Sequence, residues 1–548
     1  MRKFFVILFA LAVAGASFGQ LSGPLEGILG PGYYTVVGAI WVNPGRSLTI
    51  LPPTTFDFLG EFPFTIWGTL SAIGTESAPI VFTANQPALY RWRAMRFEAG
   101  SSGSGLGYCL IEWSQSGQGG GVRCYQSSPT FANCTVRRDS ANNVGGGIYC
   151  YESTASFTGC IVRGNDAVNA GGGIYCYNSA PTFTNCLIMC NRAPDGGGVY
   201  CGNSTATFTN CTVDSNTAYD DGGGVYSTDL SSFMNCRIIR NRAYDDGGGV
   251  HCEGSTARFT NCTVDSNMAS RAGAGVSCRN SASPTFTNCV ITRNTALDSL
   301  FGVGGGAYCD SASPVFVHCT LSGNTANSGA GDGAFIATSA PTFNSTIISF
   351  SNGTGIYFSN SGGSQIIYGD IFGHSGGNII NPSAGPPGIG ELVTTNANGD
   401  SCDIYRNIFL DPLFVDPPTA DIHLTNYSPC IGAANPANPP PTDFEGDPRP
   451  NPPASYPDIG ADEHPFGVPL EPVVPVSDLV IRPDFPGSGN MVLYWSPVTG
   501  AIYYSIYGAT APFIPGTQLA TGVIGTTWTD LNTSSRPSRY FYYVTAVQ

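Results

Sequence analysis

The sequence predicts an all-β chain whose main body is a parallel β-helix, followed by a shorter all-β region. Three observations carry that prediction. One motif recurs from Gly119 to Phe343 at steps of 25 to 31 residues. Each copy is built of Gly, Thr, Ser, Asn, Tyr, Cys and Val, where helical repeats want Leu, Ala, Lys and Glu. Within a copy, short alternating stretches separated by turn residues read as strands.

Composition narrows the class. Only 11% of the 548 residues are charged and 42% are hydrophobic, against roughly 25% charged in an average globular protein, so uncharged polar side chains must cover the surface. Gly (71) and Pro (40) are abundant, but 11% aromatic residues supply the buriable area that a disordered chain lacks. A net charge of -15 argues against a nucleic-acid partner, whose phosphates need basic residues. The only lysine is Lys3, which removes P-loop and Schiff-base chemistry as well.

The first residues read as an export signal over 1–19. Arg2 and Lys3 form a positive start, Phe4 to Ala14 an apolar stretch, and Ser17-Phe18-Gly19 a small-residue cleavage site. The apolar run is shorter than the roughly 20 residues a membrane anchor needs. Removing Arg2 and Lys3 takes the charge from -15 to -17. No second run of spanning length follows, so the mature chain is expected without a transmembrane segment, secreted by bacterial-type export or held at the cell surface.

The repeat governs residues 119–360. Gly triplets or near-triplets begin at Gly119, Gly145, Gly171, Gly196, Gly222, Gly247, Gly273, Gly304 and Gly331. Phenylalanine keeps step from Phe131 through Phe183 and Phe233 to Phe343, and an Asn follows eight residues later in most copies. Nineteen cysteines in an exported chain would ordinarily mean a disulfide framework. Here fifteen of them fall into two series on the same period, one from Cys124 to Cys309 and one from Cys134 to Cys319. No C-x-x-C pair occurs, which disfavours structural zinc. Repetition at one period defines a solenoid.

Parity places the residues in each coil. In GGGIYC, Ile174 and Cys176 share one face and Tyr175 takes the other. Phe183 and Cys186 have opposite parity, so a corner must lie between them if both point inward. Asn185 stands there, and Asn tolerates the left-handed conformation that a corner requires. Three short strands per turn, stacked about 4.8 Å apart, give a parallel β-helix.

The GGGIY and NxA elements resemble the right-handed β-helix repeats of secreted pectate-lyase-like proteins and the GGA(I/L) and FxxN repeats of polymorphic outer-membrane adhesins. The resemblance covers residues 22–465 and implies a right-handed coil. GPGYYTVVGAIWVNPGRSLTILPPTTFDF resembles an N-terminal cap, so 20–118 reads as cap and first coils. DPLFVD (Asp411 to Asp416), DIHLTNYSPCIGAA and DFEGDPRPNPPASYPDIGADE resemble closing coils, so 361–464 reads as irregular last coils and C-terminal cap. Pro465, Pro469, Pro472 and Pro475 mark a stiff linker over 465–476. Residues 477–548 resemble a fibronectin type III module, a small β-sandwich, with Trp495 as its core tryptophan. That family has a further strand beyond the one containing Tyr540, and its lack predicts an unpaired sheet edge.

Three groups of residues are candidates for chemistry. Inward cysteines on parallel strands have poorly directed Cβ vectors for pairing, so reduced thiols filling the core are expected, with Cys402 and Cys430 outside the ladders as the candidate disulfide. Tyr149, Tyr175, Tyr200, Tyr226 and His251 occupy the outward GGGxY position, interrupted by Ser277. They form either a row of rings for sugar CH surfaces or a ladder that only stiffens the sheet. Asp195, Asp220, Asp221, Asp245 and Asp246 directly precede Gly triplets on three coils. They either cap turns or bind calcium. Pectate lyases combine an acidic calcium cluster with an arginine, a role for which Arg192 and Arg242 are on offer. The GHG and RIK motifs of polygalacturonase-type hydrolases are missing.

The expectation is therefore a secreted or cell-surface protein that binds carbohydrate or mediates adhesion, without evident catalysis. A polysaccharide lyase or glycoside hydrolase and a purely structural stalk are the alternatives. The insertion ALDSLFGV before Gly304 is apolar and offers only Asp298, which favours binding, because active sites usually break a repeat with polar groups.

Overall fold

The computed structural model describes residues 18–547 except 362, 382–383, 471–472, 477, 485–489, 499–500, 511–516 and 532–539. Most of the expected export signal lies outside the described residues. The chain divides into two compact units, one containing the chain up to Thr425 with Pro429–Gly467, the other Asn426–Ser428 with Val468–Gln548.

The first unit is the solenoid. One coil shows how sequence makes it. Val199–Gly202 forms a strand whose Val199 and Cys201 point inward and are fully buried. Thr207–Thr209 follows around a corner and buries Phe208, and Thr212–Asp214 buries Val213. A fourth strand of two residues, Thr217–Ala218, then buries Ala218. Each coil thus has four faces rather than the three expected. The fourth is too short to show any periodicity, which is why alternation could not reveal it.

Equivalent strands pair in parallel and in register. Val199, Tyr200 and Cys201 lie beside Ile174, Tyr175 and Cys176 on one side and beside Val225, Tyr226 and Ser227 on the other. The Phe face makes a 14-stranded sheet and the short face a nine-stranded one. The remaining two faces join in a 28-stranded sheet through the eleven-residue strand Gly32–Val42, which pairs with Thr54–Phe58 along its first half and with Phe64–Ile66 along its second. One long strand therefore forks into two ladders.

The core repeats with the coil. Phe131, Phe157, Phe183, Phe208, Phe233, Phe259, Phe286, Phe316 and Phe343 are buried, and successive rings stack 4.7 to 4.9 Å apart. Asn185 turns the corner with φ of 54°, and Asn210, Asn235 and Asn261 repeat it at 52 to 53°. The second asparagine series is interior. Asn165, Asn191, Asn216, Asn241, Asn267, Asn294 and Asn324 are buried, and each side-chain amide before the last donates to the next Asn at 2.9 to 3.1 Å. Each also donates to a backbone carbonyl of the preceding coil, as Asn216 does to Ile188 at 3.0 Å. Buried polar groups are tolerable only when satisfied in this way.

Every ladder cysteine is buried and none is disulfide-bonded. The thiols of the series from Cys134 to Cys319 donate instead to backbone carbonyls, as Cys211 does to Phe183 and Cys236 to Phe208, both at 3.4 Å.

The segment Asp443–His464 closes the solenoid's side around a buried arginine. Arg449 donates to the carbonyl oxygens of Asp458, Gly460, Ala461 and Asp462 at 2.9 to 3.2 Å and lies 3.5 Å from the Glu463 carboxylate. Gly460 and Ala461 hydrogen-bond to Ser345 and Thr320 of the coils, so the segment is pinned to the body it covers.

The second unit has antiparallel sheets, with Leu493, Trp495, Tyr504, Ile506, Val544 and Ala546 as its core. Trp495 is buried against Tyr504, as its place in the sequence implied. Val473–Pro475, expected in the linker, is a strand paired antiparallel with Phe541–Val547. The edge expected to stand open is occupied there by the chain's own backbone.

Candidate functional site

The expected ring and acid positions meet on one side of the solenoid. Tyr149, Tyr175, Tyr200, Tyr226 and His251 stack one coil apart, with centroids 4.8 to 5.7 Å apart. Their exposure differs from expectation. Tyr149 and Tyr226 are buried, His251 is 2% exposed, and only Tyr175 and Tyr200 are partly open. The Gly turns explain this. Gly222 has φ of 68°, and a Cβ there would fall 2.9 Å from the Tyr226 Cβ, so each Gly turn lies directly against its ring. A second outward column stands two residues further along these strands: Tyr125, Tyr151, Tyr177, then Glu253, Arg279 and Asp310.

The acids occupy two further columns. Asp195 and Asp246 stand where neighbouring coils have Val144, Ala170, Ala272 and Val303, as does Asp221, so carboxylates replace apolar residues over three coils. They do cap turns: Asp221 Oδ1 accepts the N–H of Asp246 and Asp246 Oδ1 that of Ala272, both at 2.9 Å. Their other oxygens face the neighbouring columns. Asp246 pairs with Arg279 at 2.9 Å, and Asp221 Oδ2 lies 3.9 Å from His251 Nε2. Asp220 and Asp245 stand beside them, and ligand atoms of Asp220, Asp221 and Asp245 lie within 4.8 Å of one another. Arg271 donates to both oxygens of Asp245 at 2.8 and 3.0 Å.

Burial and mutual repulsion set the charge states. Burial, reinforced by the charges of Asp246, Asp220 and Asp245, pushes Asp221 up to about 7 against the hydrogen bond from Asp246. Burial raises Asp195 and Asp246 to about 6. It lowers His251 to about 4, which keeps that ring neutral near pH 7. Glu253 is held below the usual range, first by the hydrogen bond from the Tyr226 hydroxyl.

Beyond these columns lies an exposed aromatic pair that parity on the GGGxY strand did not reveal. Tyr219 and Tyr244 are 58% and 48% exposed, their rings 6.0 Å apart, each one residue before the acids Asp220 and Asp245. The repeat AYDDGGG carried the signal: two copies at one period must stack. The arginines offered for a lyase role stand elsewhere. Arg242 lies over the Tyr244 ring at 4.5 Å, and Arg192 is exposed on the short fourth face. Arg271 and Arg279 are the arginines brought to the acids.

Cys402 and Cys430, expected as a disulfide, share a second apolar cluster with Ile408, Phe414 and Ile459 but are not joined. The Cys430 thiol is turned to Asp370 Oδ2 at 3.4 Å.

Residues 120–273 and 268–389 match the family model for a right handed beta helix region. The repeats are right-handed β-helix coils. No curated protein and no solved structure matches the chain.

Proposed function

We propose that this is an exported or surface-held binding protein that lays an extended carbohydrate along the side of its β-helix and breaks no bond in it. The observation that supports this most is the exposed Tyr219–Tyr244 stack beside three carboxylates. Aromatic faces suit the CH surfaces of sugar rings, and carboxylates accept hydrogen bonds from sugar hydroxyls. Tyr175 and Tyr200, partly open on the adjacent face, extend the aromatic surface across neighbouring coils. Coils repeat about every 4.8 Å, so such a surface suits a repeating polymer rather than a compact ligand.

The insertion after Ala296 supports binding over catalysis. Leu300 and Phe301 are 77% and 64% exposed, while Asp298 Oδ1 is spent on the N–H groups of those two residues at 2.8 and 2.9 Å. The reading of residues 1–19 as an export signal fits a place at the cell exterior, and the C-terminal unit reads as a fibronectin type III-like accessory module. The likeness of the coils to adhesin repeats fits the same role.

A glycan array probed with the full chain, with and without calcium, tests the reading. Replacing both Tyr219 and Tyr244 by Ser is expected to weaken polysaccharide binding at least tenfold, which is about 1.4 kcal/mol. A double variant that binds as well as the wild type leaves a structural stalk. Shortening of a bound polymer by the purified protein establishes the lyase or hydrolase reading instead.

A further inference from the structure

Positive charge gathers at one place in the solenoid. Residues 91–163 carry seven arginines against Glu98, Glu112, Asp139 and Glu152, in a chain whose net charge is -15. Arg93 pairs with Glu61, Arg123 with Glu98 and Arg137 with Glu112, while Arg96 stands on the tyrosine face beside Arg123. Arg91, Arg138 and Arg163 form no ion pair with a carboxylate among the described residues. Burial raises Asp139 well above the usual carboxylate range, so it offers them little charge. Burial also raises Asp166, whose first countercharge is Arg192, beside it in register, and whose second is Arg91.

Two features meet at Arg91. The first is a corner of stacked guanidiniums. Arg91 and Arg138 both lie over the Trp113 ring, their guanidinium carbons 5.3 and 5.0 Å from its centroid. Arg91 Nη1 also donates to the Arg138 carbonyl and to Ser140 Oγ, at 3.2 and 3.3 Å, which holds it there. Arg163 is exposed one coil on, and its carbonyl accepts the N–H of Arg138 at 3.3 Å. Like charges held this close are unfavourable until an anion joins them. The second feature is a cavity of about 420 Å3 between the 87–93 loop and the first strands of the short fourth face, lined by Tyr90, Arg91, Arg93, Gln115 and Asn142. The one carboxylate in its lining, Glu61, is already paired with Arg93. Gln115 Nε2 donates to Asn142 Oδ1 at 2.8 Å, which leaves Gln115 Oε1 to accept and Asn142 Nδ2 to donate.

We propose that this corner binds a glycan through one anionic sugar, its carboxylate or sulfate ester held by Arg91 and Arg138 while its ring occupies the cavity. Guanidinium forks match both kinds of oxyanion, and Trp113 keeps the two forks oriented. The amides of Gln115 and Asn142 suit the ring hydroxyls. The cavity has the size of a small-ligand site, for which about 300–1,000 Å3 is usual. Tyr219 stands three coils on along the same edge, about 14 Å away, with Asp220, Asp221 and Asp245 beside it. Those acids repel a polymer charged at every residue, so the corner suits a single acidic residue on an otherwise neutral glycan. That the anion is carried on a sugar rests on the carbohydrate reading above; the preference for an anion does not.

The test titrates the full chain by calorimetry with lactose, sialyllactose, sulfated lactose and sodium sulfate. The two anionic sugars are expected to bind at least tenfold more tightly than lactose, the tighter of them naming the anion as carboxylate or sulfate. Added sodium chloride is expected to weaken both. Replacing Arg91 and Arg138 together by Ala is expected to cost both sugars at least tenfold, while Tyr219→Ser with Tyr244→Ser leaves them unchanged. Tryptophan emission is expected to shift on binding, and Trp113→Phe to remove that shift. Circular dichroism separates loss of the site from loss of the fold, and Arg138→Ala alone repeats the measurement if the double variant is unfolded. No preference for the anionic sugars over lactose overturns the proposal, as does equal affinity in wild type and a folded arginine variant. Sulfate ion that binds as tightly as sulfated lactose leaves an anion site blind to sugars and overturns it too. A neutral polysaccharide whose binding is lost in the tyrosine variant but kept in the arginine variant upholds the carbohydrate reading even where this one fails.

Discussion

Asn216 Oδ1 accepts two hydrogen bonds from Asn191, one from its backbone N–H and one from its side-chain amide, both at 3.0 Å. The pair is one rung of an interior chain of asparagines. Replacing Asn216 by Ala leaves those two donors and the Ile188 carbonyl unmet at a site 1% exposed. Each unmet buried group costs about 1–3 kcal/mol, so the variant should lose several kcal/mol in guanidinium unfolding. A midpoint unchanged from wild type would show that the ladder does not hold the coils.

The phenylalanine stack makes a second prediction. Phe233 is fully buried between Phe208 and Phe259, 4.7 and 4.9 Å away. Phe233→Ala should cost about 3–5 kcal/mol through the cavity it leaves. Tyr200→Ser, at a ring still partly open to solvent, should cost less in the same assay. Equal costs would mean that the tyrosine column is as much core as the phenylalanine column.

Thiol reactivity gives a third. Cys190 is exposed at a corner while the ladder cysteines are buried. Native protein should react rapidly with about one equivalent of thiol reagent, and Cys190→Ser should abolish that phase. Unfolding without reductant should release most of the fifteen ladder thiols. Recovering only one or two would restore a disulfide framework.

The fourth concerns pH. His423 bonds to Asp421 at 2.5 Å and to Glu445 at 3.1 Å. Burial opposes its charge, but those two carboxylates outweigh it and raise the imidazole to about 9. A histidine raised in the folded state stabilises fully below its unfolded value near 6.5, and that contribution is lost as pH rises through 9. Melting temperature should therefore fall between pH 6.5 and 9 in the wild type. His423→Gln should flatten that slope, and an identical slope in the variant would exclude the pair as its source.

Much of the fold was legible because each inward position keeps one residue type along the coils. A Phe or Cys at constant period can only stack on itself, and the parity of Phe183 and Cys186 required the corner at Asn185. What escaped was set by things periodicity does not encode. The two-residue strand Thr217–Ala218 is shorter than any alternation. The shielding of Tyr226 depends on how closely the Gly222 turn approaches it. Arg279 reaches Asp246 from a different coil, a pairing visible only once the register between 251 and 277 is known. Arg449, alone and in a Pro-rich stretch, gave no sign that it would be buried among carbonyls.

The in-register asparagine chain also decides how this molecule can change length. Asn191 and Asn216 are 25 residues apart and make the same contacts in the same places. Excising Asn191 to Ser215 in frame would seat Asn216 against Asn165, with every rung still filled. Duplicating that segment would add a rung of the same kind. Gain or loss of whole coils thus leaves the fold intact, whereas an insertion of a few residues must be extruded, as Leu300 and Phe301 are. The length of the solenoid is a quantity that heredity can count in coils.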